Sequence, residues 1–170
     1  EPGISGQSTW PLTAVRLDGS EYQLLTEDIY FGTPVISPDG YVLIPTDEQV
    51  LRWDGQRITD TDYPFFLSGS FSPDGRLLAL TQGSNLDVYD MNEQLLHHVE
   101  FQPVRYSPPP PPVWQPSGEW VTVEGWNDGA DGFPGIVILL NMVTGEERII
   151  NQRFQPQFSP NGRWLVTYHA

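Results

Sequence analysis

The 170 residues carry 22 acids against 8 bases, all arginine, for a formal charge of −14. A surface of that sign repels phosphate backbones and anionic lipids, and although 38% of the residues are hydrophobic, no apolar run is long enough to cross a bilayer. Neither nucleic acid nor membrane insertion is therefore expected, and the absence of cysteine rules out disulfides and thiolate-bound metals in either compartment.

After an N-terminal extension over 1–9, the first patterned stretch is LTAVRLDGSEYQLL, a strand, a polar turn at Asp18 and a second strand within 10–27. The next, VISPDGYVLI at 35 to 44, is a different hairpin. Pro38 pre-sets φ for a tight turn, Asp39 hydrogen-bonds its own backbone, and Gly40 accepts φ > 0. VLRWDGQRIT then returns to the first kind and completes a unit over 33–60.

The alternation continues. FSPDGRLLAL, with Pro73, Asp74 and Gly75, and LDVYDMNEQLLHH form a unit over 65–101. VWQPSGEWVTV, with Pro116 and Gly118, and VILLNMVTGEERII form another over 113–151. QFSPNGRWLVTY, with Pro160, Asn161 and Gly162, forms a last hairpin over 155–170. With the Pro-x-Gly hairpin termed AB and the other CD, the chain reads CD, then AB-CD three times, then AB: sixteen strands and no helix. Across the four AB turns the middle residue varies, Asp39 and Asp74 giving way to Ser117 and Asn161, while the glycine stands unchanged. It is the position that needs a left-handed backbone, so these residues, Asp39 and Asp74 included, read as structural turns and not as catalysts.

The spacing supports this phasing. From each motif proline to the following CD turn residue the distances are 16, 17 and 25; from turn residue to the next proline they are 20, 19, 26 and 19. The third unit alone is long, with one insertion at 102–112 and another at 126–135. Four self-similar units of 35 to 44 residues indicate a repeat architecture.

The AB hairpins resemble the PD40, or TolB-like, class of WD40-type β-propeller repeats: an aromatic or apolar residue, Ser-Pro-Asp-Gly, then an aliphatic run. The likeness extends from Trp10 onward. No Gly-His precedes the AB strands, and only Trp53-Asp54 matches the WD dipeptide. The resemblance implies an all-β propeller of four-stranded antiparallel blades, four blade-equivalents in all, one composite from the N- and C-terminal hairpins. Trp53, Phe71, Trp114, Phe158 and Trp164 are expected to be buried between its sheets.

No nucleophile elbow, phosphate loop or metalloprotease helix occurs, so neither an enzyme, a cofactor nor a metal is expected. His97 and His98 are adjacent on a strand and point to opposite faces. His169 reads as a polar edge residue. The loop from Asn127 to Gly132 lacks an acid at the twelfth position of a calcium loop, where Ile138 stands. Pro108 to Pro112 is a polyproline II segment that runs directly into the strand at Val113 and reads as a spacer.

In a four-stranded blade the D-to-A connection and the B-to-C loop emerge on one face. The two insertions, one of each kind, should therefore bring Tyr106, Trp126, Asp128, Asp131 and Phe133 together. Aromatics beside carboxylates over a rigid scaffold suit protein recognition, with carbohydrate as the alternative. The family likeness adds a further alternative, the accessory propeller of a prolyl-oligopeptidase-type serine peptidase. An extracytoplasmic protein (periplasmic, cell-surface or secreted) is expected, either processed or excised, since it begins at Glu1. Its partners would be other proteins, with a second copy or further blades completing the ring.

Overall fold

The computed structural model describes residues 10–15, 18–20, 22–29, 34–38, 41–44, 49–52, 57–58, 68–82, 84–101, 110–126 and 135–169. Among them are sixteen strands: β1 (Trp10–Val15), β2 (Tyr22–Ile29), β3 (Val35–Ile36), β4 (Tyr41–Ile44), β5 (Gln49–Arg52), β6 (Arg57–Ile58), β7 (Ser68–Phe71), β8 (Leu77–Gln82), β9 (Asn85–Asp90), β10 (Leu95–Glu100), β11 (Val113–Trp114), β12 (Trp120–Trp126), β13 (Gly135–Asn141), β14 (Glu147–Asn151), β15 (Arg153–Phe158) and β16 (Leu165–His169). They form three four-stranded antiparallel sheets, β3 to β6, β7 to β10 and β11 to β14. The hairpins at either end, which the sequence marks as complementary halves of a blade, form separate two-stranded sheets, β1-β2 and β15-β16. No described helix is long and apolar enough to cross a membrane.

The turns are built as their residue types require. The Ser72 amide donates to the Leu77 carbonyl and the Gly75 amide to that of Ser72, while the Ser72 hydroxyl and the Arg76 amide both donate to Asp74. Asn161 takes the place of Asp74 in the last hairpin and accepts from the Ser159 hydroxyl and the Arg163 amide. Gly75, Gly118 and Gly162 all sit near φ +70° (70°, 75° and 67°), a conformation that side chains resist. These bonds hold the Asp74 carboxyl below its usual range, the Ser72 hydroxyl contributing most. Pro38, Pro73, Pro116 and Pro160 are exposed on the same turns; Asp39 and Gly40 lie outside the described residues. In the CD turns an acid or amide does similar work: Asp90 accepts from the Asn92 and Gln94 amides, and Asn141 from those of Val143 and Thr144.

Blades stack through their B and C strands. Ala79, Leu86 and Val88 of the second full sheet pack with Val121, Val123, Ile136, Ile138 and Leu140 of the third in one buried cluster, joined by Val99 and Phe101. Each fully buried leucine or isoleucine here contributes roughly 1.5–3 kcal/mol relative to exposure. Between the innermost strands the Ser70 hydroxyl donates to the Pro112 carbonyl (2.6 Å) and the Trp114 indole N–H to that of Ser70 (3.2 Å).

Aliphatic residues, not the aromatics singled out in the sequence, fill the core. Phe71, Trp114 and Phe158 are half-buried, and Trp53 lies outside the described residues. Trp164 corrects the expectation outright: it is 71% exposed. It stands two residues after the turn glycine, as Leu77 does after Gly75, on the face that the following blade covers in the intact sheets. No described blade follows β15-β16.

Candidate functional site

Tyr106, Asp128, Asp131 and Phe133 lie outside the described residues, as does the Trp126 side chain. The strands that carry them are described, and they bring the bases of the two insertions together. Phe101 precedes the first insertion, and Gly125 and Ile136 flank the second. A Cβ on Gly125 would lie 3.1 Å from the Phe101 ring and 3.0 Å from Ile136, so a glycine is what lets the three meet. The first insertion returns through Pro110, Pro111 and Pro112 to the same neighbourhood.

There a cleft of about 370 Å³ opens between the third full blade and the last hairpin, lined by Pro110, Pro111, Val113, Thr122, Glu124, Gln155, Pro156 and Gln157. Its walls are apolar prolines and valine; its polar groups are one carboxylate and two amides. The Thr122 hydroxyl is occupied by the Val113 carbonyl at 3.2 Å. Glu124 is half-buried and accepts a hydrogen bond from the Gln155 amide. Burial pushes the Glu124 carboxyl up, and that backbone bond offsets the rise only in part. A carboxylate so placed favours a ligand that supplies a proton donor or a positive charge.

The cleft has this shape because β15 is bulged. Its register shifts between Phe154 and Gln157, with Gln155 at φ 51°, which turns the Gln155 amide towards Glu124. Across the seam Gly135 allows β13 to approach β15: a Cβ there would stand 2.9 Å from the Arg153 carbonyl oxygen. Gln115 closes the opposite end of the seam by donating to the Gly162 carbonyl at 2.7 Å.

Glu124, Gln155, Pro156 and Gln157 were not singled out in the sequence. Glu124 left a trace: it is the one charge within the strand Trp120–Trp126, six residues after Gly118, where the other copies have Thr46, Thr81 and Tyr168. The bulge at Gln155 left none.

His98 meets the buried Asp87 across β9 and β10 at 2.6 Å, and that hydrogen bond raises the imidazole above its ordinary range. His97 lies on the other face, beside Gly145, as strand geometry requires. No cluster of three or more metal-ligating side chains occurs among the described residues.

No protein-family model matches the chain, and no curated protein matches it in sequence. Its fold matches solved structures throughout. It superposes on a TolB-type protein from Agrobacterium tumefaciens with a TM-score of 0.61 and 17% identity, covering 91% of this chain and 60% of that one. Against an oligogalacturonate lyase in complex with manganese the TM-score is 0.59 and the identity 16%, covering 90% and 49%. Against a chain of the nidogen/laminin complex they are 0.58 and 14%, covering 89% and 62%. The protein thus has a β-propeller fold similar to that of the TolB-type protein, and it spans about half to three fifths of the structures it resembles. One of these is an enzyme by name, so the fold alone does not decide between catalysis and binding.

Proposed function

We propose that the chain is a non-catalytic propeller scaffold that binds another protein, outside the cytoplasm, on the face where the two insertions emerge. The observation that carries this reading is the convergence at Phe101, Gly125 and Ile136, with the Glu124 cleft beside it. Tyr106, Trp126 and Phe133 supply apolar contact area, while Asp128, Asp131 and Glu124 favour a basic or hydrogen-bond-donating surface, in keeping with the overall charge of −14. No cofactor or metal enters the reading.

The test uses the immobilised chain to capture partners from an extracytoplasmic fraction, then compares captured-partner affinity for two sets of variants. Trp126→Ala with Phe133→Ala should weaken binding at least tenfold. Ser117→Arg with Asn161→Arg, on the turn face, should leave it unchanged. The reverse pattern would overturn the assignment of the face.

A further inference from the structure

Glu124 stands apart from the other described carboxyl groups that shift. Asp18, Asp74, Asp90 and Glu146 are held below the usual range chiefly by bonds from Ser20, Ser72, Gln94 and Arg148 respectively, all of them close in sequence. Glu124 is the one that moves the other way, because burial outweighs its bond from the Gln155 amide. That amide is its one hydrogen-bond partner among the described residues, and no described cation compensates the charge. Arg148 is committed to Glu146 at 2.7 Å, and Arg153 to the Gln152 carbonyl at 3.1 Å. The site holds an anion and lacks its counterpart.

The cleft around it, about 370 Å³, has room for a side chain and for part of the backbone that would carry it. Pro111, Val113 and Pro156 wall it with rigid or β-branched groups, which lose little conformational freedom when covered. Gln155 and Gln157 stand exposed at its rim. A glutamine side chain offers both a donor and an acceptor, the pair that a peptide backbone requires. The segment is also strained: Gln152 and Gln155 hold φ 54° and 51°, a conformation that side chains resist and that clusters at binding sites.

Charge selects the occupant. An anionic group is repelled, and an apolar side chain would leave the carboxylate buried and unpaired. Of the two long cationic side chains, arginine suits a half-buried apolar cleft better than lysine. Its guanidinium is planar and more weakly hydrated than an ammonium, so less is lost on leaving water. Its methylene stem matches the proline and valine walls.

We propose that the Glu124 cleft is a pocket for an arginine side chain on an extended segment of the protein partner, its guanidinium on the Glu124 carboxylate and its backbone bonded to the Gln155 and Gln157 side chains. The inference rests on the reading of this face as a protein-binding one, and it assigns the cleft the selection of the partner.

The probe is a blocked Gly-Arg-Gly peptide, set against its citrulline counterpart, which keeps the shape and loses the charge. Followed by amide NMR shifts of the 170-residue chain, the arginine peptide should move Thr122, Gln155 and Gln157, and the citrulline peptide should bind at least tenfold more weakly. Glu124→Gln should weaken the arginine peptide at least tenfold. Glu146→Gln, at an exposed carboxylate on the turn between β13 and β14, should change nothing. Acidification should release the peptide at a higher pH than that at which exposed carboxylates titrate. If Glu124→Gln fails to fold, the citrulline and pH comparisons on the wild type decide. Shifts spread over the acidic turns, equal binding of the two peptides, or no shift at all would overturn the proposal. Partner capture is independent of this probe: a partner lost on Trp126→Ala with Phe133→Ala, with no arginine peptide bound here, would overturn the pocket and leave the face standing.

Discussion

β12 and β16 are two copies of one strand, each entered through a turn with glycine at φ near +70°, yet they end in opposite environments. β12 lies between β11 and β13 and between two blades, and its Val121, Thr122 and Val123 are all buried. Among the described residues β16 has one neighbour in its sheet and one blade against one face. Its Leu165 and Thr167, turned to the third blade, are half-buried, while Val166 and Tyr168 are exposed. Residue type does not explain the contrast, since the buried threonine is the more polar of the pair Thr122 and Val166. Burial in a stack of blades belongs to the position between neighbours, and a repeat without a neighbour on one side keeps its fold but not its core.

Truncation at equivalent sites should break or sharpen this comparison most. Leu80→Ala, in a strand covered on both sides, should cost about 2–5 kcal/mol in chemical denaturation. Thr167→Ala, five residues after its own turn glycine just as Leu80 is, should stay within about 0.5 kcal/mol. Equal costs would mean that the last hairpin is as well packed as an intact blade.

A smaller effect is expected at the seam joining the two regions. Gly135→Ala places a methyl against the Arg153 carbonyl and should cost about 1–3 kcal/mol, with amide exchange accelerated in β15 before β8 or β9 respond.

The smallest is at Glu124, and it depends on pH. Its folded-state pKa is raised by burial, so its favourable contribution is complete below the unfolded value near 4.5 and is lost as pH rises through the folded value. Glu124→Gln keeps the acceptor for the Gln155 amide and removes the buried charge. It should stabilise the fold slightly at neutral pH, by less than ~1 kcal/mol in chemical denaturation, with no gain below pH ~4. A loss of stability at neutral pH would show that the carboxylate is held by a favourable contact.

Much of this architecture was legible in the sequence because turns are local. The bonds that make Ser72 to Gly75 a reversal lie within six residues, and Asp90 and Asn141 act on amides two to four residues away. Strand pairing followed from them. What the sequence did not disclose depends on partners far along the chain. Trp164 reads as a core aromatic by type and by its place after a turn, and it is exposed because no described strand lies over it. The Glu124 cleft needs a bulge 31 residues away, which leaves no mark on composition or period.

The most direct test of the contrast is hydrogen exchange followed across a range of protein concentration. Amides of β8, β9, β12 and β13 should be protected to the global limit at every concentration. Those of β16 should exchange orders of magnitude faster. Protection of β16 equal to that of β12 in dilute protein would contradict the open face described for β16.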